Sequence, residues 1–292
     1  MEADIIKVME EKWDYLIILD ACRYDYFSKV YKDYFLGELK KGISTGSSTP
    51  EWFKNSFLDF YADVIYVSGN PYINSKQEID ECCAKKHFFK VIDVWDFGWS
   101  DKLGTVPPRK INEYLLNFRS FFPQKRFIIH YLQPHEPYLS RHFSVELKHT
   151  YGHRNGLEWA QGMRARQQTS LEKLLNLFFV NTKLMKNTWK IRRLLNLPPI
   201  QPMEAVRRIY GVDGLRKAYE INLKIVLEFV SQLCNKLLYY QPNKNIVITS
   251  DHGELLGENG DYCHKSESRD PILREIPFFR VKCVKARELN PE

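Results

Sequence analysis

The chain has 292 residues, 44% of them hydrophobic and 14% aromatic, with a formal net charge of +7. That composition excludes a disordered chain and leaves room for one large domain with a sizeable core. No run of about 18 apolar residues is present to span a membrane, and the acidic start Met1-Glu2-Ala3-Asp4 lacks a signal-peptide pattern, so a cytoplasmic protein is expected.

Apolar runs bounded by turn residues predict strands at 15–20, 63–68, 90–95, 126–132, 245–250 and 276–282. The first, Tyr15-Leu16-Ile17-Ile18-Leu19-Asp20, ends in a carboxylate. It leads towards a hydroxyl-rich loop, Ser44-Thr45-Gly46-Ser47-Ser48-Thr49-Pro50. A hydroxyl held beside a divalent cation loses its proton readily and can attack an ester. The segment from Glu51 reads as a helix whose first amides favour an anion.

Farther on, Phe127-Ile128-Ile129-His130-Tyr131-Leu132 runs into Gln133-Pro134-His135-Glu136-Pro137-Tyr138. The two prolines restrict the backbone and can present His135 at a fixed angle. The stretch 140–205 shows no strand pattern and reads as a basic helical insertion or lid. From Ser140 to Lys217 there are 15 Lys/Arg against 5 Asp/Glu. Such a surplus marks a surface for an anionic partner, and a membrane-surface helix is the sharper alternative to a packed insertion. No DNA- or RNA-binding motif is present, and nucleic acid is not expected.

Leu215 to Leu238 carries Ala218, Ile221, Ile225, Val226, Phe229, Leu233 and Leu237 at helical spacing. Then Ile246-Val247-Ile248-Thr249-Ser250-Asp251-His252-Gly253 delivers an Asp-His pair to a strand tip, and His264 follows beyond a loop holding Gly257 and Gly260. Strands alternating with helices predict a doubly wound α/β fold, a mainly parallel sheet with helices on both faces. In such sheets, chemistry gathers beyond the carboxyl ends of the strands. Asp20, Asp251 and His252 are therefore candidate metal ligands, and a mixed Asp/His set suits Zn²⁺ or Mn²⁺ better than Ca²⁺. The six cysteines form no C-x-x-C pair and read as free thiols.

Taken together these motifs resemble the alkaline phosphatase superfamily, in its sulfatase-like branch. The match rests on Asp20, the loop from Gly46 to Pro50, Pro134-His135-Glu136-Pro137-Tyr138, Ser250-Asp251-His252-Gly253 and His264. The resemblance implies one catalytic domain over residues 1–292, interrupted at about 140–205. It implies a metal-dependent hydrolase or transferase acting on a phosphate ester, with one or two Zn²⁺ or Mn²⁺ ions. Asp20, Asp251, His252 and Ser48 would hold the first ion, with Ser48 as nucleophile and Thr49, Ser47 and Thr45 as competitors. His264 with His130 would bind a second ion or the substrate, and His135 would donate a hydrogen bond to the substrate anion or protonate the leaving group. The substrate would be an anionic small-molecule, lipid-linked or polymeric ester. Sulfatases place Arg where this chain has Trp52, and Ala21 stands where they pair a second Asp with the first. Sulfatase chemistry is therefore the runner-up, and a non-catalytic binding protein using the basic segment is the third reading.

Overall fold

A computed structural model of the protein describes residues 3–143, 189, 193–195, 199 and 201–285. Its elements follow in chain order: β1 (Tyr15–Leu19), α1 (Tyr24–Val30), β2 (Phe35–Ile43), α2 (Thr49–Ser56), β3 (Tyr61–Ser68), β4 (Phe88–Asp93), α3 (Val94–Phe97) and α4 (Pro108–Phe118). After these come β5 (Arg126–Tyr131), α5 (Pro202–Tyr240), β6 (Ile246–Thr249), β7 (Leu255–Leu256), β8 (Tyr262–Cys263), α6 (Pro271–Arg274) and β9 (Glu275–Val284). Seven strands form one sheet in the order β2-β9-β6-β1-β5-β3-β4. The five from β6 to β4 run parallel, and β9 and β2 add an antiparallel edge. This is the doubly wound α/β architecture the sequence predicts.

The apolar runs explain the centre of the sheet. Every residue of β1 is buried, as expected of a parallel strand covered on both faces. Its odd and even positions enter different cores. Ile17 and Leu19 pack with Phe27 of α1 and with Leu223, Val226 and Val230 of α5. Leu16 and Ile18 pack with Trp52 and Phe53 of α2. Each such side chain, fully buried, stabilises the fold by roughly 1.5–3 kcal/mol.

Strand β2 departs from the prediction because Phe35-Leu36-Gly37-Glu38-Leu39-Lys40-Lys41-Gly42-Ile43 mixes charge and glycine without clean alternation. It pairs with β9, with an isolated bridge from Ile5 to Ile43 on its other side, and lies at the sheet edge, where such composition discourages edge-to-edge association. Helix α5 begins well before the predicted 215. Pro202 and Glu204 suit a first helical turn, and a break at Gly211, whose φ is 74°, separates that opening from the long stretch behind it. The predicted insertion at 140–205 lies outside the described residues except for 140–143, 189, 193–195, 199 and 201–205.

Candidate active site

Three adjacent parallel strands bring the acidic and histidine residues together. Asp20 follows β1, His130 lies near the end of β5, and Asp251-His252 follows β6 by one residue. Ile18 is in register with both His130 and Thr249, which sets these tips side by side. Ser250 fastens the turn between them. Its Oγ lies 2.6 Å from the Leu19 carbonyl and 2.7 Å from the His252 carbonyl, and it accepts the Cys22 N–H at 2.7 Å. Ala21 takes φ 57°, an uncommon conformation for a residue with a Cβ. There its N–H reaches Asp251 Oδ1 at 3.0 Å.

The first group is Asp20, Asp251 and His252, whose candidate ligand atoms all lie within 4.8 Å of one another. The His252 Nδ1–H donates to the Gly253 carbonyl at 2.8 Å, leaving a lone pair on Nε2. That lone pair faces Asp251 Oδ2 at 3.4 Å and Asp20 Oδ1 at 3.7 Å. His130 Nε2 adds a further approach, 3.8 Å from Asp20 and 3.9 Å from Asp251. Asp20 Oδ1 and His130 Nε2 are buried with no hydrogen-bond partner among the described residues. Acceptors facing acceptors in a buried site are costly. A divalent cation would satisfy all of them, so the donor set fits a metal. The titration behaviour agrees. Burial, then the Asp251 and Glu254 charges, push Asp20 up. Burial holds His130 and His252 down at about 4, in the neutral form that ligates. Asn70 Nδ2 holds Asp20 Oδ2 at 2.8 Å, and the Tyr66 hydroxyl lies 2.8 Å from His130 Nδ1.

The loop hydroxyls sort clearly. Thr49 Oγ1 donates to Asp251 Oδ2 at 2.7 Å and lies 3.4 Å from His252 Nε2. Ser48 Oγ instead pairs with Ser266 Oγ at 2.7 Å. Ser47 bonds Glu51 and the Lys265 carbonyl, and Thr45 pairs with Ser56. The placement expected for Ser48 is thus taken by its neighbour, because Thr49 opens α2 while Ser48 sits one residue outside it. Gly46 makes room for this turn, since a Cβ there would lie 2.2 Å from the Trp52 backbone nitrogen. Trp52 is wholly buried with its ring edge towards His130.

A second group, His135, Glu254 and His264, adjoins the first. His264 Nδ1 lies 3.0 Å from Glu254 Oε1, and His135 Nε2 lies 3.4 Å from Glu254 Oε2. The His264 and His252 ring centroids are 4.2 Å apart. Burial works against the His264 charge, but Glu254 overcomes it and raises its pKa. Glu254 is lowered in turn: burial opposes its ionisation, and His264 and His135 outweigh it. His130, expected beside His264, belongs to the first group. Glu254, Asn70 and Tyr66 were not foreseen from the sequence. The sequence offered only position: an acid two residues beyond His252 and an Asn just past the end of β3.

No family model matches the chain, and no curated protein does. Among solved structures, a putative sulfatase from Bacteroides thetaiotaomicron superposes with a TM-score of 0.51 at 13% identity, covering 93% of this chain and 64% of that one. The lipooligosaccharide phosphoethanolamine transferase EptA from Neisseria meningitidis gives 0.49 at 13% identity, covering 96% of this chain and 50% of that one. A zinc complex of the C-terminal periplasmic domain of EptC from Escherichia coli gives 0.47 at 11% identity, covering 93% and 74%. The chain thus spans about half the length of the Neisseria protein. The chain shares the fold of that putative sulfatase, an alkaline-phosphatase-like α/β sheet. The expectation of a cytoplasmic protein is corrected. It rested on an acidic first tetrapeptide and on the lack of a run of about 18 apolar residues, neither of which carries information on compartment.

Proposed function

We propose that the protein is a metal-dependent hydrolase or transferase of an anionic phosphate ester, with Thr49 as nucleophile. The observation that carries this reading is Thr49 Oγ1 on Asp251 Oδ2, beside His252 Nε2 and two unpartnered buried ligand atoms. Asp20, Asp251 and His252 would hold one Zn²⁺ or Mn²⁺, with His130 behind them. Such a cation lowers the pKa of a nearby hydroxyl and offsets charge on phosphoryl oxygens. Thr49 Oγ1 attacks phosphorus, its proton passing to Asp251, and the ester O–P bond breaks as the Oγ1–P bond forms. His264, kept protonated by Glu254, supplies the proton to the leaving oxygen, with His135 on the other oxygen of Glu254. Water or an acceptor alcohol then attacks phosphorus and gives its proton to His264, and the Oγ1–P bond breaks as Thr49 Oγ1 recovers its proton from Asp251. Residues 1–292 are read as one catalytic domain, because a single sheet takes strands from Tyr15 to Val284. The buried Trp52 disfavours the sulfatase alternative, since no Arg stands there to direct an anion.

Metal-loaded protein incubated with an aryl phosphate and quenched in acid tests this reading. A phosphorylated peptide spanning 45–52, with the group on Thr49, is expected, and Thr49→Ala should abolish both label and turnover. Turnover retained in Thr49→Ala, or label on Ser48, would overturn the assignment.

A further inference from the structure

The end of the sheet opposite this site carries an independent feature. Helices α4 and α5 finish there, and β4 and β5 begin there. Three segments meet, 85–90, 118–126 and 236–244. They hold three, three and two Lys/Arg respectively and no Asp or Glu. Large aromatic side chains stand out from them: Phe121 is 75% exposed, Tyr239 80% and Tyr240 64%. They belong to one patch. Phe118 packs on Phe122 at 5.0 Å, and Phe122 on Phe89 at 5.9 Å. The Arg119 guanidinium lies 5.2 Å from the Tyr240 ring. Lys90 stands 5.5 Å over Phe118, and Lys125 stands 4.0 Å over Phe89. Nearby Asp63, Asp14 and Glu78 are already paired with Arg126, Lys244 and Lys86.

Exposed rings interleaved with long cationic side chains, in segments that hold no Asp or Glu of their own, match one environment closely. Tyr and Phe settle at the boundary between headgroups and acyl chains, while Lys and Arg reach phosphates above them. An aqueous protein surface seldom leaves so many adjoining aromatics uncovered. We infer that this end of the sheet docks peripherally on an anionic bilayer, with Phe121, Tyr239 and Tyr240 at headgroup level and Lys90, Arg119 and Lys125 on lipid phosphates. The candidate active site then faces away from that surface, into the aqueous phase, since it lies at the other end of β5. This inference does not depend on the chemistry assigned to that site.

Co-sedimentation with phosphatidylcholine vesicles and with phosphatidylcholine–phosphatidylglycerol vesicles tests it. Pelleting is expected with the anionic vesicles only. F121S/Y239S/Y240S should weaken it at least tenfold. K90Q/R119Q/K125Q should weaken it on the order of a hundredfold, at roughly fivefold per near-surface cation. The charge-matched control K40Q/K54Q/K102Q, outside the three segments, should weaken it severalfold less. The circular dichroism spectrum of each variant establishes that it is folded. No pelleting, equal pelleting on neutral vesicles, unchanged pelleting of the aromatic variant, or equal losses for the two lysine/arginine sets would each overturn the inference. So would retention of the vesicle-bound protein at this surface by double-stranded DNA, which would reassign the patch to nucleic acid.

Discussion

The two groups at the carboxyl edge of the sheet share a wall yet differ in charge balance. The first sets two carboxylates, Asp20 and Asp251, against two histidines that burial keeps neutral. The second sets one carboxylate, Glu254, against a histidine it helps to protonate, His264. The first leaves Asp20 Oδ1 and His130 Nε2 without a hydrogen bond; the second leaves Glu254 Oε2 without one but carries the Glu254–His264 ion pair. A pair of buried histidines near one another can thus be ligand or acid depending on how many carboxylates accompany them. On the proposed reading the first group takes the cation, and the neighbouring Glu254–His264 pair moves a proton.

The largest effect should come from the first group. Asp251→Asn keeps an oxygen for the Ala21 and His252 amides but removes the charge that a cation needs. Metal content, read by elemental analysis of protein purified without chelator, should fall from near one ion per chain to near zero. Turnover of an aryl phosphate should fall on the order of 10³-fold or more with it. Full metal occupancy in this variant would dissolve the distinction between the groups.

Glu254→Gln acts on the second group and should leave the metal in place. Turnover should drop about 10²- to 10⁴-fold, the usual worth of a positioned acid. The pH profile carries the sharper signature. Burial lowers the His264 pKa and Glu254 raises it, with Glu254 prevailing. An acid loses activity as pH rises through its pKa, so removing Glu254 should move the alkaline limb to lower pH. A limb that stays put would show that His264 is not the acid.

Much of this arrangement was legible from strand-end residues. Asp20, Asp251 and His252 stand at the tips of apolar runs, and period and position alone bring them together. Strand β2 was hidden because edge strands tolerate charge and glycine. Glu254 was hidden because nothing in sequence distinguishes a buried Glu from a solvated one. Thr49 could not be separated from Ser48, since a one-residue difference at a helix start decides which hydroxyl turns inward.

Glu136 tests how little further charge the neighbourhood of the second group accepts. It is buried, accepts the Met203 N–H at the start of α5, and is pushed up to about 8, first by burial and then by the Glu254 and Glu204 charges. Its folded pKa exceeds its ordinary 4.5. Between these values the unfolded chain is ionised while the folded one holds its proton. Stability is therefore lost as pH rises, by roughly 1.4 kcal/mol per pH unit. Glutamine mimics the protonated acid. The advantage of Glu136→Gln over the wild type should be near zero at about pH 4.5, grow to several kcal/mol by about pH 8, and stay constant above it. Urea midpoints across that range read it, and a difference that does not vary with pH would show that Glu136 is ionised in the folded protein.

The smallest effect belongs to Ser48→Ala, and it is the one that separates two adjacent hydroxyls. Ser48 makes no side-chain cap to α2, so the usual loss of an N-cap does not apply. What it does make is a single hydrogen bond to Ser266 Oγ. Removing it should lower stability by about 1 kcal/mol. Neither Asp251 nor His252 touches this oxygen, so turnover and metal content should stay within a few-fold of wild type. The same steady-state assay that finds Thr49→Ala inactive should find Ser48→Ala active. If Ser48→Ala were the dead variant instead, the serine would have to swing from Ser266 towards Asp251, and the first group would be organised around the other hydroxyl.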